Sequence, residues 1–280
     1  MRVGDALKQA ERQLEQAGIG DTRRKTRLLM MHVLKIDSAG LVARENGQLL
    51  LEEIKSFHHL ISRAALEPLH RILGYREFHG LEFNLHGDTL EPRDDSEALV
   101  EAVLDEISSL SHTALRFADL GTGTGAIALA LLSELPAATA TLTDIADGAI
   151  VTARANARKH GLEKRCTFAT GPWLAPLTGQ FNFIVSNPPY ISSSVVETLD
   201  PLVRDHDPRA ALDGGEDGLD AYRIILRDAE PYLKPDGFLA LEIGYDQTES
   251  VGELAKQNGW IFGKLAKDLG GNDRAMIFTL

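Results

Sequence analysis

Leu115-Arg116-Phe117-Ala118-Asp119-Leu120-Gly121-Thr122-Gly123-Thr124-Gly125-Ala126 decides the fold. Leu115 to Leu120 reads as a strand, the Gly/Thr alternation as a tight loop, and Ala126 to Leu135 as an apolar helix. Downstream the alternation continues. A strand over Ala138–Thr143 stops at Asp144, a helix covers Ile150–His160, and strands cover Arg165–Ala169 and Phe181–Ser186. A helix follows from about Leu219 to Leu233, a strand over Gly237–Ile243 and a helix over Thr248–Gln257. Trp260–Leu265 and Ala275–Leu280 close the chain as two strands joined around Gly270-Gly271. Strands alternating with helices predict an α/β, doubly wound parallel sheet covered on both faces, with the closing pair as an antiparallel edge.

Upstream the periods differ. Residues 1–73 read as a small all-α bundle. Leu7, Ala10, Leu14 and Ala17 make one helical face, a second helix follows with Asp21-Thr22 placed to cap it, and a third runs from Leu50 to Ala65. Residues 74–92 read as strand, turn, strand, a β-hairpin linker between the bundle and a catalytic domain over 93–280. Asp94, Asp95 or Ser96 can cap a helix from Glu97 to about Leu110.

The chain of 280 residues carries a formal net charge of −12. Residues 1–92 hold 13 Lys+Arg and 13 Asp+Glu, leaving 16 and 28 for the rest, so the excess lies wholly on the α/β part. That balance disfavours a nucleic-acid substrate, which needs a basic footprint. The Arg23-Arg24-Lys25 and Arg27 cluster reads first as a solvated face. The lone Cys166 excludes an internal disulfide and, lying in a strand, reads as a small hydrophobe. No Cys/His spacing suggests a metal, and no apolar run approaches a membrane span. A cytoplasmic monomer is expected.

The glycine loop places backbone N–H groups and a helix N-terminus beside a ligand, and an acid at the next strand's end can accept from both ribose hydroxyls. Gly121, Gly123 and Ala126 with Asp144 would equally suit a dinucleotide dehydrogenase. Asn187-Pro188-Pro189-Tyr190, at the end of the Phe181–Ser186 strand, separates the two readings. A proline pair cannot continue a sheet, so the strand ends in a rigid loop. Asn187 Oδ1 and the Pro188 carbonyl can accept the two N–H groups of a planar amino nitrogen and turn its lone pair toward a methyl donor, while Tyr190 can pack on the flat group. A dehydrogenase has no use for that loop.

At these residues the chain resembles the release factor glutamine methyltransferases. The specific pieces are Gly74-Tyr75-Arg76-Glu77-Phe78, Pro92-Arg93, Asp119 to Gly125, Asn187-Pro188-Pro189-Tyr190-Ile191, Ala211-Leu212-Asp213-Gly214-Gly215-Glu216-Asp217-Gly218-Leu219 and Leu241-Glu242-Ile243-Gly244. Together they span nearly the whole length. The resemblance implies a Rossmann-like, S-adenosylmethionine-dependent methyltransferase domain whose substrate is the glutamine of the Gly-Gly-Gln loop of class I peptide-chain release factors. It implies cofactor contacts from Gly121, Thr122, Gly123, Thr124, Gly125, Asp144, Trp173 and Asn187, and glutamine contacts from Asn187, Pro188, Pro189 and Tyr190. It further implies that the helical domain and hairpin grip the release factor. Three departures stand out: Glu91 and Asp94 flank Pro92-Arg93 where the family usually has isoleucine and a second proline, Pro172 precedes Trp173 in place of Asp, and Asp144-Ile145-Ala146-Asp147 replaces Asp-x-Ser-Pro. The competing expectations are a ribosomal-protein glutamine or a DNA adenine as acceptor, or a cofactor-binding scaffold without catalysis.

Overall fold

The computed structural model describes residues 1–108 and 114–280. The expected helix end near Leu110 lies outside them. The chain divides into two compact units, Met1–Gly74 and Tyr75–Leu280.

The smaller unit is helical: α1 (Val3–Gln16), α2 (Thr22–Leu34), α3 (Ser38–Ala43), α4 (Leu51–Ala64) and α5 (Leu69–Leu73). α1 buries Val3, Ala6, Leu7, Ala10 and Leu14, the 3-4 spacing of a single apolar face. Asp21 does precede α2, but in a left-handed conformation that directs no side-chain bond to the helix. Capping by side chain occurs instead at α3, where Asp37 Oδ1 accepts from Gly40 N at 2.7 Å.

The larger unit opens with the hairpin β1 (Tyr75–Phe78) and β2 (Leu81–Asn84). Phe78 and Phe83 are buried in the main core, and Asn84 exchanges bonds with the fully buried Asn156, at 2.9 Å to its Oδ1 and 3.1 Å from its Nδ2. Asn156 Nδ2 also donates to Thr124 O at 2.9 Å, so one amide ties the hairpin to the glycine loop. The hairpin is therefore part of the α/β unit. Arg76 extends the attachment by pairing with buried Glu91 and, at 2.7 Å, with Asp94. The two residues that depart from the family pattern here share one guanidinium.

After α6 (Glu97–Ser108) come β3 (Arg116–Leu120), α7 (Ala126–Glu134), β4 (Thr139–Asp144), α8 (Asp147–Lys159), β5 (Cys166–Thr170) and β6 (Phe181–Ser186). The short helices α9 (Ser193–Val196) and α10 (Pro201–Arg204) lead to α11 (Asp220–Asp228), β7 (Leu233–Glu242), α12 (Thr248–Gln257), β8 (Ile261–Lys267) and β9 (Asp273–Thr279). The seven strands lie in the order β5-β4-β3-β6-β7-β9-β8. The first five run parallel, and β9 is antiparallel to both β7 and β8.

Alternation within each strand builds two core layers. Phe117, Phe183 and Phe238 stack across three neighbouring strands, with centroids 4.6 and 5.1 Å apart, on the face covered by α6, α7 and α8. Ala118, Leu120, Ile184, Leu239 and Leu241 face α11 and α12 on the other side. The chain winds outward from β3 to β5, then returns to place β6 on β3's other flank. That reversal opens a crevice at the carboxyl ends of β3 and β6, where such sheets bind ligands. Cys166 is half-buried at the β5 edge, and burial pushes its thiol up to about 12, so it stays protonated.

Candidate active site

The crevice holds a cavity of about 540 Å³, within the range of small-molecule and cofactor sites. Gly121, Thr122, Gly123, Thr124, Asp144, Trp173, Asn187 and Pro189 all line it. The loop from β3 turns through positive φ at Gly121 (68°) and Gly123 (55°), which a Cβ would strain. The Trp173 ring comes within 3.7 Å of where a Gly121 Cβ would sit. Trp173 is itself left-handed, with its carbonyl held by Thr143 Oγ1 at 3.1 Å.

Asp144 ends β4 with its two oxygens accepting from Gly123 N and Ala146 N, each at 2.9 Å. Burial raises its pKa, and the N–H groups of Ala146, Gly123 and Ile145 hold it back toward the ionised form. Those bonds aim the carboxylate across the glycine loop, with lone pairs left for a ligand's hydroxyls.

Asn187 follows β6 directly. The strand end is tied to β3 by Ser186 Oγ donating to Leu120 O at 2.7 Å. Asn187 Nδ2 donates to Ser96 Oγ at 3.1 Å, which leaves the amide oxygen for a ligand. Ser96, read from the sequence only as a capping candidate, makes no cap bond to α6. It sits in a 3₁₀ turn over Asp94–Ser96, is buried, and faces Asn187 across 91 residues of chain.

Three residues named from the sequence lie off the cavity. Gly125 caps α7, where an added Cβ would press on Ala153 of α8 at 3.3 Å, so its work is helix packing. Pro188 is buried and does not line the cavity. Tyr190 turns back into the protein, where its hydroxyl donates to Glu242 Oε1 at 3.3 Å and accepts from Arg274 Nη1 at 3.5 Å. Its side chain packs against the α11–α12 core rather than lining the cavity.

The glycine-rich segment after α10 cradles the Asn187–Ile191 loop. Ile191 N donates to Leu212 O at 3.0 Å, and Gly214 N donates to Ile191 O at 2.8 Å. A Cβ at Gly214 would lie 2.7 Å from Pro189 O, and one at Gly218 only 2.4 Å from Tyr190 O. Gln247 Nε2 completes the clamp by donating to Tyr190 O at 3.0 Å and Gly218 O at 3.3 Å. Glycine is required because loop backbone packs on loop backbone.

Charge selects the ligand. Among the described residues lining the cavity, Asp88, Asp144, Asp213 and Asp220 are acidic and Arg93 is the one base. Arg93 is already paired with buried Asp207 at 2.5 Å. Such a lining repels the pyrophosphate of a dinucleotide and suits the cationic sulfonium of S-adenosylmethionine. The apolar flanks from Phe78, Ile127, Ile145 and Trp173 suit a nucleoside base.

Comparisons with known proteins agree with this geometry. Residues 94–205 match the Methyltransferase small domain family, and residues 5–74 match the PrmC N-terminal domain family. A release factor glutamine methyltransferase of Agrobacterium fabrum is 42% identical over 98% of both chains. Another, from Rhodospirillum rubrum, is 42% identical over 98% of this chain and 84% of its own. The chain belongs to the release factor glutamine methyltransferase family. A solved methyltransferase from Pyrococcus furiosus shares the fold at a TM-score of 0.53, with 19% identity over 71% of this chain and 88% of that one. The chain is thus an S-adenosylmethionine-dependent methyltransferase with a helical N-terminal unit.

Proposed function

We propose that this enzyme methylates the side-chain amide nitrogen of the glutamine in the Gly-Gly-Gln loop of class I peptide-chain release factors. The observation that carries the reading is Asn187, held at the end of β6 with its NH₂ pinned on Ser96 and its oxygen available at the cavity. An amide nitrogen is a poor nucleophile because its lone pair is delocalised into the carbonyl. Asn187 Oδ1 accepts one N–H of the substrate amide, so the nitrogen is fixed in position and its lone pair directed into the cavity. Bound S-adenosylmethionine supplies an electrophilic methyl group there. Gly121 to Thr124, Asp144 and Trp173 hold that cofactor, and the proton leaves the nitrogen for solvent after attack. No strong base is needed, since the proton becomes acidic only as nitrogen gains positive charge.

The helical unit, with Arg23, Arg24, Lys25 and Arg27, serves to grip the release factor. The enzyme acts as a monomer in the cytoplasm without contacting nucleic acid directly. Among the described residues no helix is long and apolar enough to cross a membrane.

The test is incubation with S-adenosylmethionine and, separately, a release factor, a ribosomal protein and duplex DNA, followed by mass analysis of the products. A methyl group on the release factor glutamine is expected; modification of another acceptor instead would overturn the assignment. Asn187→Ala should keep cofactor affinity while turnover falls by about 10²–10³-fold, the scale of losing one preorganised hydrogen-bonding group at a reacting centre.

A further inference from the structure

Asn187 is moored on two sides, and both moorings lead to one buried cation to which the reaction as described gives no role. On one side, Ser96 Oγ accepts from Asn187 Nδ2 at 3.1 Å. Ser96 ends the turn over Asp94–Ser96, and the residue before it, Asp95, meets Arg274 Nη2 at 3.5 Å. On the other side, farther along the loop that Asn187 begins, the Tyr190 hydroxyl accepts from Arg274 Nη1 at 3.5 Å. Arg274 lies off the cavity and is 8% exposed.

The cation is itself fixed by the fold. Its Nε and Nη2 donate to Asp268 Oδ2 at 3.2 and 2.9 Å, and its Nη1 donates to Ile243 O at 3.4 Å. Asp268 is held in turn by the connection from β8 to β9, where its Oδ1 accepts from Asn272 N at 2.9 Å. A guanidinium has five N–H groups in one plane, so each terminal nitrogen keeps one for a mooring after these bonds are made. A lysine presents its donors from a single point and cannot reach both sides at once. Burial also leaves the cation little screened, so its hold on Asp95 persists at physiological salt. The bond between Ser96 and Asn187 joins two neutral groups and is by comparison a weak tether across 91 residues of chain.

We infer that Arg274 is a positioning residue for the methyl transfer: it holds the Asp94–Ser96 turn and Tyr190 in a fixed relation and so sets the place of the Asn187 amide between them. The inference rests on the reading of Asn187 as the acceptor for a substrate N–H. Released from Arg274, the two moorings move independently, and Asn187 Oδ1 loses its aim at the substrate nitrogen. The glycine loop and Asp144 have their own bonds to β4 and are untouched. Loss of Arg274 therefore lowers turnover without weakening cofactor binding.

The experiment compares Arg274→Lys with Asp95→Asn and with Thr248→Val, which removes a 2.7 Å bond to Asp273 beside Arg274 but leaves both moorings. Turnover of a release factor should fall about tenfold or more in Arg274→Lys and less in Asp95→Asn, with S-adenosylmethionine affinity within about twofold of wild type, as for misplacement of a reacting group. On an Asn187→Ala background Arg274→Lys should add no further loss, because it acts only through that amide. Thr248→Val should lower Tm and keep wild-type turnover. The ¹⁵N-resolved side-chain amide of Asn187 in the cofactor-free protein, assigned with Asn187→Ala, should shift in Arg274→Lys and Asp95→Asn and stay in place in Thr248→Val. Wild-type turnover in Arg274→Lys, an equal loss on both backgrounds, or an Asn187 resonance that ignores Asp95→Asn overturns the inference. The Asp95 side chain is 57% exposed, so that variant decides the matter even where a change at Arg274 prevents folding. If wild type leaves the release factor unmodified, the functional reading fails, while the resonance still decides the positioning.

Discussion

Replacing Gly218 by alanine tests whether the glycine-rich segment fixes the Asn187–Tyr190 loop. Gly218 sits at φ +77°, where an added Cβ would lie 2.4 Å from Tyr190 O, 2.9 Å from Gln247 Nε2 and 3.2 Å from Tyr190 C. The nearest obstacle is backbone, so no rotamer change relieves it. An alanine held left-handed costs about 1–2 kcal/mol. Moving the Tyr190 carbonyl away breaks its bond from Gln247, about 1 kcal/mol more. The sum, about 2–3 kcal/mol, should lower Tm by about 5–10 °C in a unit of this size. An ordinary contact needs the carbonyl shifted by about 1 Å, and misplacements of that size cost about 10² in rate. Calorimetry, single-turnover methylation of a release factor and titration with S-adenosylmethionine would measure all three quantities. Rate should fall about 100-fold while cofactor affinity changes less than about threefold. A variant that melts with wild type and turns over at the wild-type rate would refute the clamp.

Three further predictions concern separate parts of the larger unit. Arg76→Ala strands buried Glu91, so it should destabilise by about 3–5 kcal/mol, with Asp94 contributing little because it is exposed; denaturant titration should show Arg76→Met with Glu91→Leu recovering much of that loss. Burial, and secondarily Asp144, raises Asp119 to about 7 against an ordinary 3.8, while Thr122 lowers it. The folded state then binds this proton more tightly than the unfolded chain, so stability is fullest at low pH and declines as pH rises from about 4 to 7. Asp119→Asn should flatten that decline in unfolding curves at pH 5 and pH 8, and parallel curves for the two proteins would count against it. Trp173 lines the cavity whereas Trp260 is buried with its Nε1 bonded to Leu226 O, so S-adenosylmethionine should change tryptophan emission in wild type and not in Trp173→Phe.

Much of the α/β unit was legible because its signals are local. Phe181–Ser186 and Thr248–Gln257 have the bounds expected from their hydrophobic periods, and the closing antiparallel pair follows the Gly270-Gly271 turn. The short helices α3, α9 and α10 were not anticipated, since each holds only four to six residues and carries too little period to read. The glycine loop with Asp144 was legible for a similar reason: a strand, a turn through positive φ and a terminal acid each leave a mark in contiguous residues.

The sequence by itself therefore determined the alternating architecture and most of the residues around the cavity, because backbone period and turn chemistry are written in neighbours. Tertiary structure decided where the polar side chains go. Ser96 left the helix cap for Asn187, 91 residues away, and Tyr190 turned from the cavity to Glu242, 52 residues away. Gly125 serves α8 rather than a ligand, and Glu91 and Asp94 meet on Arg76. A hydrogen bond is satisfied by whichever donor the fold brings within about 3 Å, and spacing along the chain does not specify that partner.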